Sequence, residues 1–112
     1  MKQTFYILVA AVLLTLPASQ VSIAGEKAAP NEVTIDNFSF LPQTLTVPVG
    51  TTITWINRDD VPHTATAKEK PREFDSKALD TDEKYSHTFK AKGTYAYFCA
   101  VHPHMTGKII VK

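Results

Sequence analysis

Short runs in which apolar and polar side chains alternate recur from Glu32 to the end of the chain. A period of two places successive side chains on opposite faces and is typical of β-strands. The segments between these alternating runs lack the apolar repeat of three and four residues that is typical of an amphipathic helix. Strands are therefore predicted in the alternating runs, which are 33–40, 45–49, 53–56, 64–67, 85–89, 95–99 and 108–112.

Details within these runs predict how the strands are used. Phe38 and Phe40 are expected to continue the buried face of the first run. Pro48 cannot donate a ladder hydrogen bond, so its run is assigned to a sheet edge or a bend. Ile56 directly follows Trp55 and breaks the alternation, which indicates burial on both faces of that strand. Many short strands with turn residues between them predict an all-β protein, a β-sandwich or small barrel.

The segment 68–77 is charged, contains Pro71 and lacks an apolar stripe, so we interpret it as a solvated loop. Phe74 and Leu79 are expected to fix this region to the core. His87 lies in the middle of an alternating run and is interpreted as an ordinary strand histidine.

The first 24 residues have the pattern of a secretory signal peptide. Lys2 precedes an apolar run from Phe5 to Leu16, Pro17 ends that run, and Ser22-Ile23-Ala24 offers small residues for cleavage. An uncleaved membrane anchor is the alternative, but the run is shorter than the roughly 20 residues that a spanning helix needs. We therefore predict export to the periplasm, no stable membrane insertion, and a single mature domain from residue 25 to residue 112.

Charge and cysteine content narrow the function. Removal of Lys2 from the 12 basic residues leaves 11 against 11 acidic ones, so the mature chain has no excess of positive charge with which to bind nucleic acid. The chain has one cysteine, Cys99. An unpaired cysteine in an exported protein indicates an intermolecular bridge, a reactive thiol, a buried inert thiol or a metal ligand.

Three donor side chains lie close together at the end of the run 95–99. Cys99, His102 and Met105 are spaced three residues apart, and His63 comes from a separate loop. Two imidazoles, a thiolate and a weakly bound thioether are the donors of type 1 electron-transfer copper sites. His104 is the alternative to His102, but it directly precedes Met105, and neighbouring side chains in a tight loop rarely face one metal. We therefore predict one copper ion bound by His63, Cys99, His102 and Met105.

The last part of the chain, GTYAYFCAVHPHMTGKIIV, resembles the C-terminal copper loop of the cupredoxins, the type 1 blue copper proteins. The spacing Cys-x-x-His-x-x-Met, with a proline after the histidine, is most similar to the amicyanin branch of the plastocyanin/amicyanin family. TITWINRDDVPHT resembles the segment that carries the first histidine, and FDSKALDTDEKYSHTF resembles the connection before the cysteine strand. The resemblance covers residues 32–112.

This resemblance implies a Greek-key β-sandwich, with His63, Cys99 and His102 in the copper plane and Met105 on its axis. It also implies a monomeric periplasmic carrier that exchanges single electrons with redox proteins docking near His102. An amine dehydrogenase and a c-type cytochrome are the expected partners. Amicyanins usually have an asparagine after the first histidine, which ties the two copper loops together. This chain has Thr64 there, which can still present its backbone N–H to the Cys99 sulfur.

Two other functions use the same residues. A periplasmic copper chaperone or storage protein would use similar soft donors, but it favours exposed, methionine-rich sites, and Met105 is the one methionine after the predicted signal peptide. An enzyme could use Cys99 as a nucleophile with a histidine base. No orienting carboxylate or oxyanion-binding motif stands at a useful spacing, so we predict that the protein is not an enzyme.

Overall fold

The computed structural model describes residues 30–112, so the predicted signal peptide lies outside the described residues. This part of the chain forms eight strands and no helix, and therefore no helix of a length and hydropathy that could cross a membrane. The strands are β1 (Glu32–Asp36), β2 (Ser39–Leu41), β3 (Thr44–Val47), β4 (Thr52–Asn57), β5 (Thr66–Ala67), β6 (Lys84–Thr88), β7 (Gly93–Phe98) and β8 (Thr106–Val111).

The strands form two sheets of four, in the orders β2-β1-β4-β6 and β3-β8-β7-β5. β1 and β4 are parallel, as are β3 and β8, and the remaining pairs are antiparallel. The predicted all-β sandwich is therefore confirmed. β3 is an edge strand that ends at Val47, directly before Pro48, as the missing N–H of proline requires.

Aromatic side chains from both sheets fill the space between them. Trp55 of β4 stacks on Phe74 at 5.1 Å between ring centroids and meets Tyr97 of β7 edge-on at 5.5 Å. Ile56 is 1% exposed, which confirms that this part of β4 is buried on both faces. Such dense packing holds β4 and β7 rigidly, and each of these strands leads toward one of the predicted donor segments.

The first alternating run is interrupted by a turn that the sequence analysis did not predict. Asn37 and Phe38 have positive φ angles of 49° and 56°, and they reverse the chain between β1 and β2. Phe40 is buried as expected, whereas Phe38 is 49% exposed. The prediction that Phe38 continues the buried face is wrong, because the turn between the strands breaks the alternation of side-chain direction.

The segment 68–77 contains neither strand nor helix. Phe74, which lies within this segment, and Leu79, which follows it, are both buried, as expected. Of the predicted strand 64–67, only Thr66 and Ala67 pair with β7. His87 is a strand residue of β6, and its ring nitrogen lies 3.2 Å from a carboxylate oxygen of Glu73.

Candidate metal centre

The predicted donor segments meet at one end of the sandwich. Cys99 directly follows β7, and the loop from Cys99 to Met105 is closed by two backbone hydrogen bonds. The Cys99 N–H donates to the Met105 carbonyl at 3.0 Å, and the Met105 N–H donates to the His102 carbonyl at 2.9 Å. His63 is held by two backbone hydrogen bonds to Leu79, of 3.1 and 2.7 Å. Both donor segments are thus fixed by their backbones.

Three predicted donor atoms converge on one point. The Cys99 Sγ atom lies 3.7 Å from Nδ1 of His63 and 3.9 Å from Nδ1 of His102. The three atoms all lie within 4.8 Å of one another. A metal bonded to sulfur at about 2.3 Å and to nitrogen at about 2.0 Å, with an angle of about 120°, holds these two donors about 3.7 Å apart. The observed separations therefore fit a trigonal site with one thiolate and two imidazoles.

Met105 and His104 differ in where they lie. Met105 is 6% exposed and belongs to the buried cluster that also contains Cys99. His104 is exposed, and the cluster of donor atoms contains His102 instead. His104 and Met105 both line a surface cavity of about 250 Å³ beside Phe38 and Leu41. The choice of His102 over His104 agrees with this arrangement, and the role of Met105 as an axial ligand stays a prediction.

Asp59 is a residue of the site that the sequence analysis missed. Its Oδ2 atom accepts hydrogen bonds from Nε2 of His63 at 2.9 Å and from the Phe38 N–H at 3.0 Å. The bond from the His63 ring and then the one from the Phe38 backbone lower the pKa of Asp59 to about 2. Because Nε2 holds the ring proton, Nδ1 of His63 is left with a free lone pair that faces Cys99. A carboxylate four residues before a histidine was the only signal in the sequence.

Thr64 connects the two donor segments in two ways. Its backbone N–H points to the Cys99 sulfur at 3.3 Å, as expected. Its side-chain hydroxyl oxygen accepts a hydrogen bond of 2.8 Å from the backbone N–H of Ala100, the residue after Cys99. A threonine at this position therefore still ties the two loops together, although it is shorter than the asparagine of the resembling family.

Phe38 was also missed as a residue of the site. Its ring meets the rings of His63 and His102 edge-on, at 5.4 and 5.0 Å between centroids and at interplanar angles of 88° and 89°. The left-handed backbone at Asn37 and Phe38 places it there, and asparagine tolerates that conformation better than most residues. Asn37 was thus the only hint of the turn in the sequence.

Comparison with known proteins agrees with this geometry. The family model described as copper binding proteins of the plastocyanin/azurin family matches residues 27–112. Amicyanin of Paracoccus versutus is 34% identical over 95 residues, which cover 82% of this chain and 72% of that protein. Amicyanin-alpha of Methylorubrum extorquens is 33% identical over 88 residues, covering 76% and 74%. A solved Cu(I) form of an amicyanin mutant superposes with a TM-score of 0.69 at 34% identity, covering 80% of this chain and 89% of that one.

Proposed function

Because this chain belongs to the plastocyanin/azurin family of copper-binding proteins, we propose that it is an amicyanin-like periplasmic carrier of single electrons. One copper ion would be held by His63, Cys99 and His102, with Met105 as the weak fourth donor. The observation that supports this most is the convergence of two imidazole Nδ1 atoms on one buried thiol.

The chain supplies donors that are already in place. Cys99 and His63 are fully buried, so water is kept away from two of the donors. The Thr64 N–H stabilises the negative charge that Cys99 carries once its thiol has lost its proton. Asp59 keeps the His63 proton on Nε2 and away from Nδ1. Copper bound there would alternate between Cu(I) and Cu(II). Donors fixed by strands and closed loops change little between the two states, which favours rapid transfer.

The half-buried His102 is the proposed point at which electrons enter and leave. Phe38 and Val101 beside it are 49% and 53% exposed, and Pro103 is exposed as well. An apolar surface of this kind allows a redox partner to dock without strong ion pairs and to leave again. An amine dehydrogenase as donor and a c-type cytochrome as acceptor are proposed from the similarity to amicyanins, together with a monomeric state.

The copper chaperone remains the second candidate, although the burial of Cys99 and His63 is unfavourable for rapid exchange of the metal. Addition of Cu(II) to the metal-free protein separates the two functions. An intense blue colour and reversible one-electron cycling are expected for the carrier. A colourless complex from which the copper passes quickly to a chelator would contradict it and favour the chaperone.

Paired variants test the donor assignment in the same experiment. His102→Ala should lose the blue colour, whereas His104→Ala should keep it, because only His102 lies in the donor cluster. Loss of colour in His104→Ala with retention in His102→Ala would reverse the assignment.

A further inference from the structure

A chain of hydrogen bonds leads from the residue after Cys99 to a carboxylate on the other side of the His63 segment. The Ala100 N–H donates to Thr64 Oγ1 at 2.8 Å, and Thr64 Oγ1 lies 2.8 Å from Thr66 Oγ1. Thr66 Oγ1 in turn donates to Oδ1 of Asp75 at 3.2 Å. Thr64 and Thr66 are 5% and 3% exposed, so water has little access to these hydroxyl groups.

The two ends of this chain determine the direction of every hydrogen bond in it. A backbone N–H can only donate, so Thr64 Oγ1 must accept from Ala100. An ionised carboxylate can only accept, so the Thr66 hydroxyl must donate to Asp75. Since each hydroxyl has one proton, the remaining bond runs from Thr64 to Thr66. Thr66 therefore gives the Thr64 proton a partner while the Thr64 oxygen accepts from Ala100.

Asp75 is itself held in place. Its Oδ1 accepts from the Lys77 N–H at 3.0 Å, and its Oδ2 lies 3.1 Å from the Lys77 ammonium. The neighbouring backbone is bound to the His63 segment, because the Ser76 N–H donates to the Ala65 carbonyl at 3.0 Å. The Asp75 carboxylate is thus a fixed acceptor at the end of this row of hydrogen bonds. It lies on the segment 68–77, which the sequence indicated only as a solvated loop.

We propose that Thr66 and Asp75 are positioning residues for the copper ligands, acting through Thr64 on the peptide group that joins Cys99 to Ala100. This inference rests on the copper site proposed above. A fixed Ala100 N–H fixes the start of the loop that carries His102, and it fixes the direction in which Cys99 leaves β7. Neither the Thr66 side chain nor the Asp75 side chain hydrogen-bonds to a donor atom in the described residues, so the effect proposed for these side chains passes through Thr64.

The test compares Thr66→Val, which keeps the shape but removes the hydroxyl, with Thr66→Ser, which restores it. Thr54→Val is the matched control, since it removes a threonine hydroxyl on the outer face of β4 that forms a hydrogen bond of the same 2.8 Å length with Ser86. Hydrogen exchange of the Ala100 amide, measured by NMR on the metal-free protein, should be about two- to tenfold faster in Thr66→Val, the range expected for loss of one hydrogen bond. Thr66→Ser and Thr54→Val should exchange as the wild type does.

The copper-loaded proteins provide a second readout. Thr66→Val should shift the thiolate-to-copper absorption bands and the reduction potential, and Thr66→Ser should restore both. Unchanged Ala100 exchange and unchanged bands in Thr66→Val would overturn the inference while leaving the electron-carrier function intact. Conversely, if Thr66→Val speeds Ala100 exchange while the wild-type protein fails to bind added copper, that result would support the hydrogen-bond link to the loop and refute the proposed function.

Asp75→Ala keeps the test decisive if Thr66→Val does not fold. The Asp75 side chain is 27% exposed, so its removal leaves no large cavity in the core. It should speed Ala100 exchange in the same direction, because the Thr66 proton loses its fixed acceptor. Wild-type exchange in Asp75→Ala would contradict a role for the carboxylate.

Discussion

Gly107 of β8 lies directly opposite Tyr97 of β7, and we expect Gly107→Ala to be strongly destabilising. A Cβ atom at Gly107 would overlap Cζ and the hydroxyl of Tyr97 and would lie 2.8 Å from Cε1 of the same ring. The Tyr97 ring is fully buried and cannot withdraw, because Phe40 and Trp55 stand against it at 4.6 and 5.5 Å between centroids. One of the two strands must therefore move.

The magnitude follows from the rigidity of this contact. Overpacking a core costs about 1–3 kcal/mol, and an overlap with a fully enclosed ring belongs at the upper end, about 3 kcal/mol. For a domain of this size each kcal/mol lowers the melting temperature by about 4–8 °C, so a fall of about 12–24 °C is expected. Thermal unfolding of the metal-free protein measures it. Copper-loaded protein should also show altered absorption, since Tyr97 precedes Cys99 by two residues on the same strand.

A double variant distinguishes overlap from a general effect of alanine at this position. Tyr97→Leu removes the ring atoms that the new Cβ would meet, so Gly107→Ala should cost much less in that background than in the wild type. If Gly107→Ala lies within about 0.5 kcal/mol of the wild type, or costs the same in both backgrounds, the packing argument is refuted.

Three further predictions concern the site and its surroundings. Asp59→Ala should weaken copper binding about 10- to 100-fold in a competition assay, as loss of the partner of a metal-binding imidazole usually does, whereas the neighbouring Asp60→Ala should not. Phe38→Asp should slow electron self-exchange, measured by NMR line broadening, by about tenfold or more through like-charge repulsion, whereas Val49→Asp, which changes another exposed apolar residue, should not. Burial opposes ionisation of Asp75, but the bonds from Lys77 and Thr66 outweigh it and lower its pKa. Its stabilising effect is therefore present above the unfolded pKa of about 3.9 and is lost as the pH falls through the lower folded value. When the pH falls from 5 to 3, the free energy of urea unfolding should decrease less in Asp75→Asn than in the wild type. Equal decreases in the two proteins would contradict this.

The sequence alone predicted the strands and the proposed donor set, because both predictions depend on local patterns. Alternation of side chains indicates most of the residues that face the core, and it located the strands of the described residues, but it missed the turn at Phe38 that separates β1 from β2. The spacing of Cys99, His102 and Met105 lies within one short loop, where chain geometry leaves few arrangements. The choice of His102 over His104 followed from that same local constraint.

Only the tertiary structure decided what surrounds those donors, because these contacts join segments that are far apart in the sequence. Phe38 reaches the histidine rings from a turn 25 residues before His63, through a left-handed backbone that no periodic pattern predicts. The hydrogen bonds of Asp59 and Thr64 are set by side-chain rotamers and loop closure. Asp75 looked like one charge among many in a solvated loop. Because that loop packs against β5, the Asp75 carboxylate becomes the fixed acceptor at the end of the hydrogen bonds that lead to Ala100.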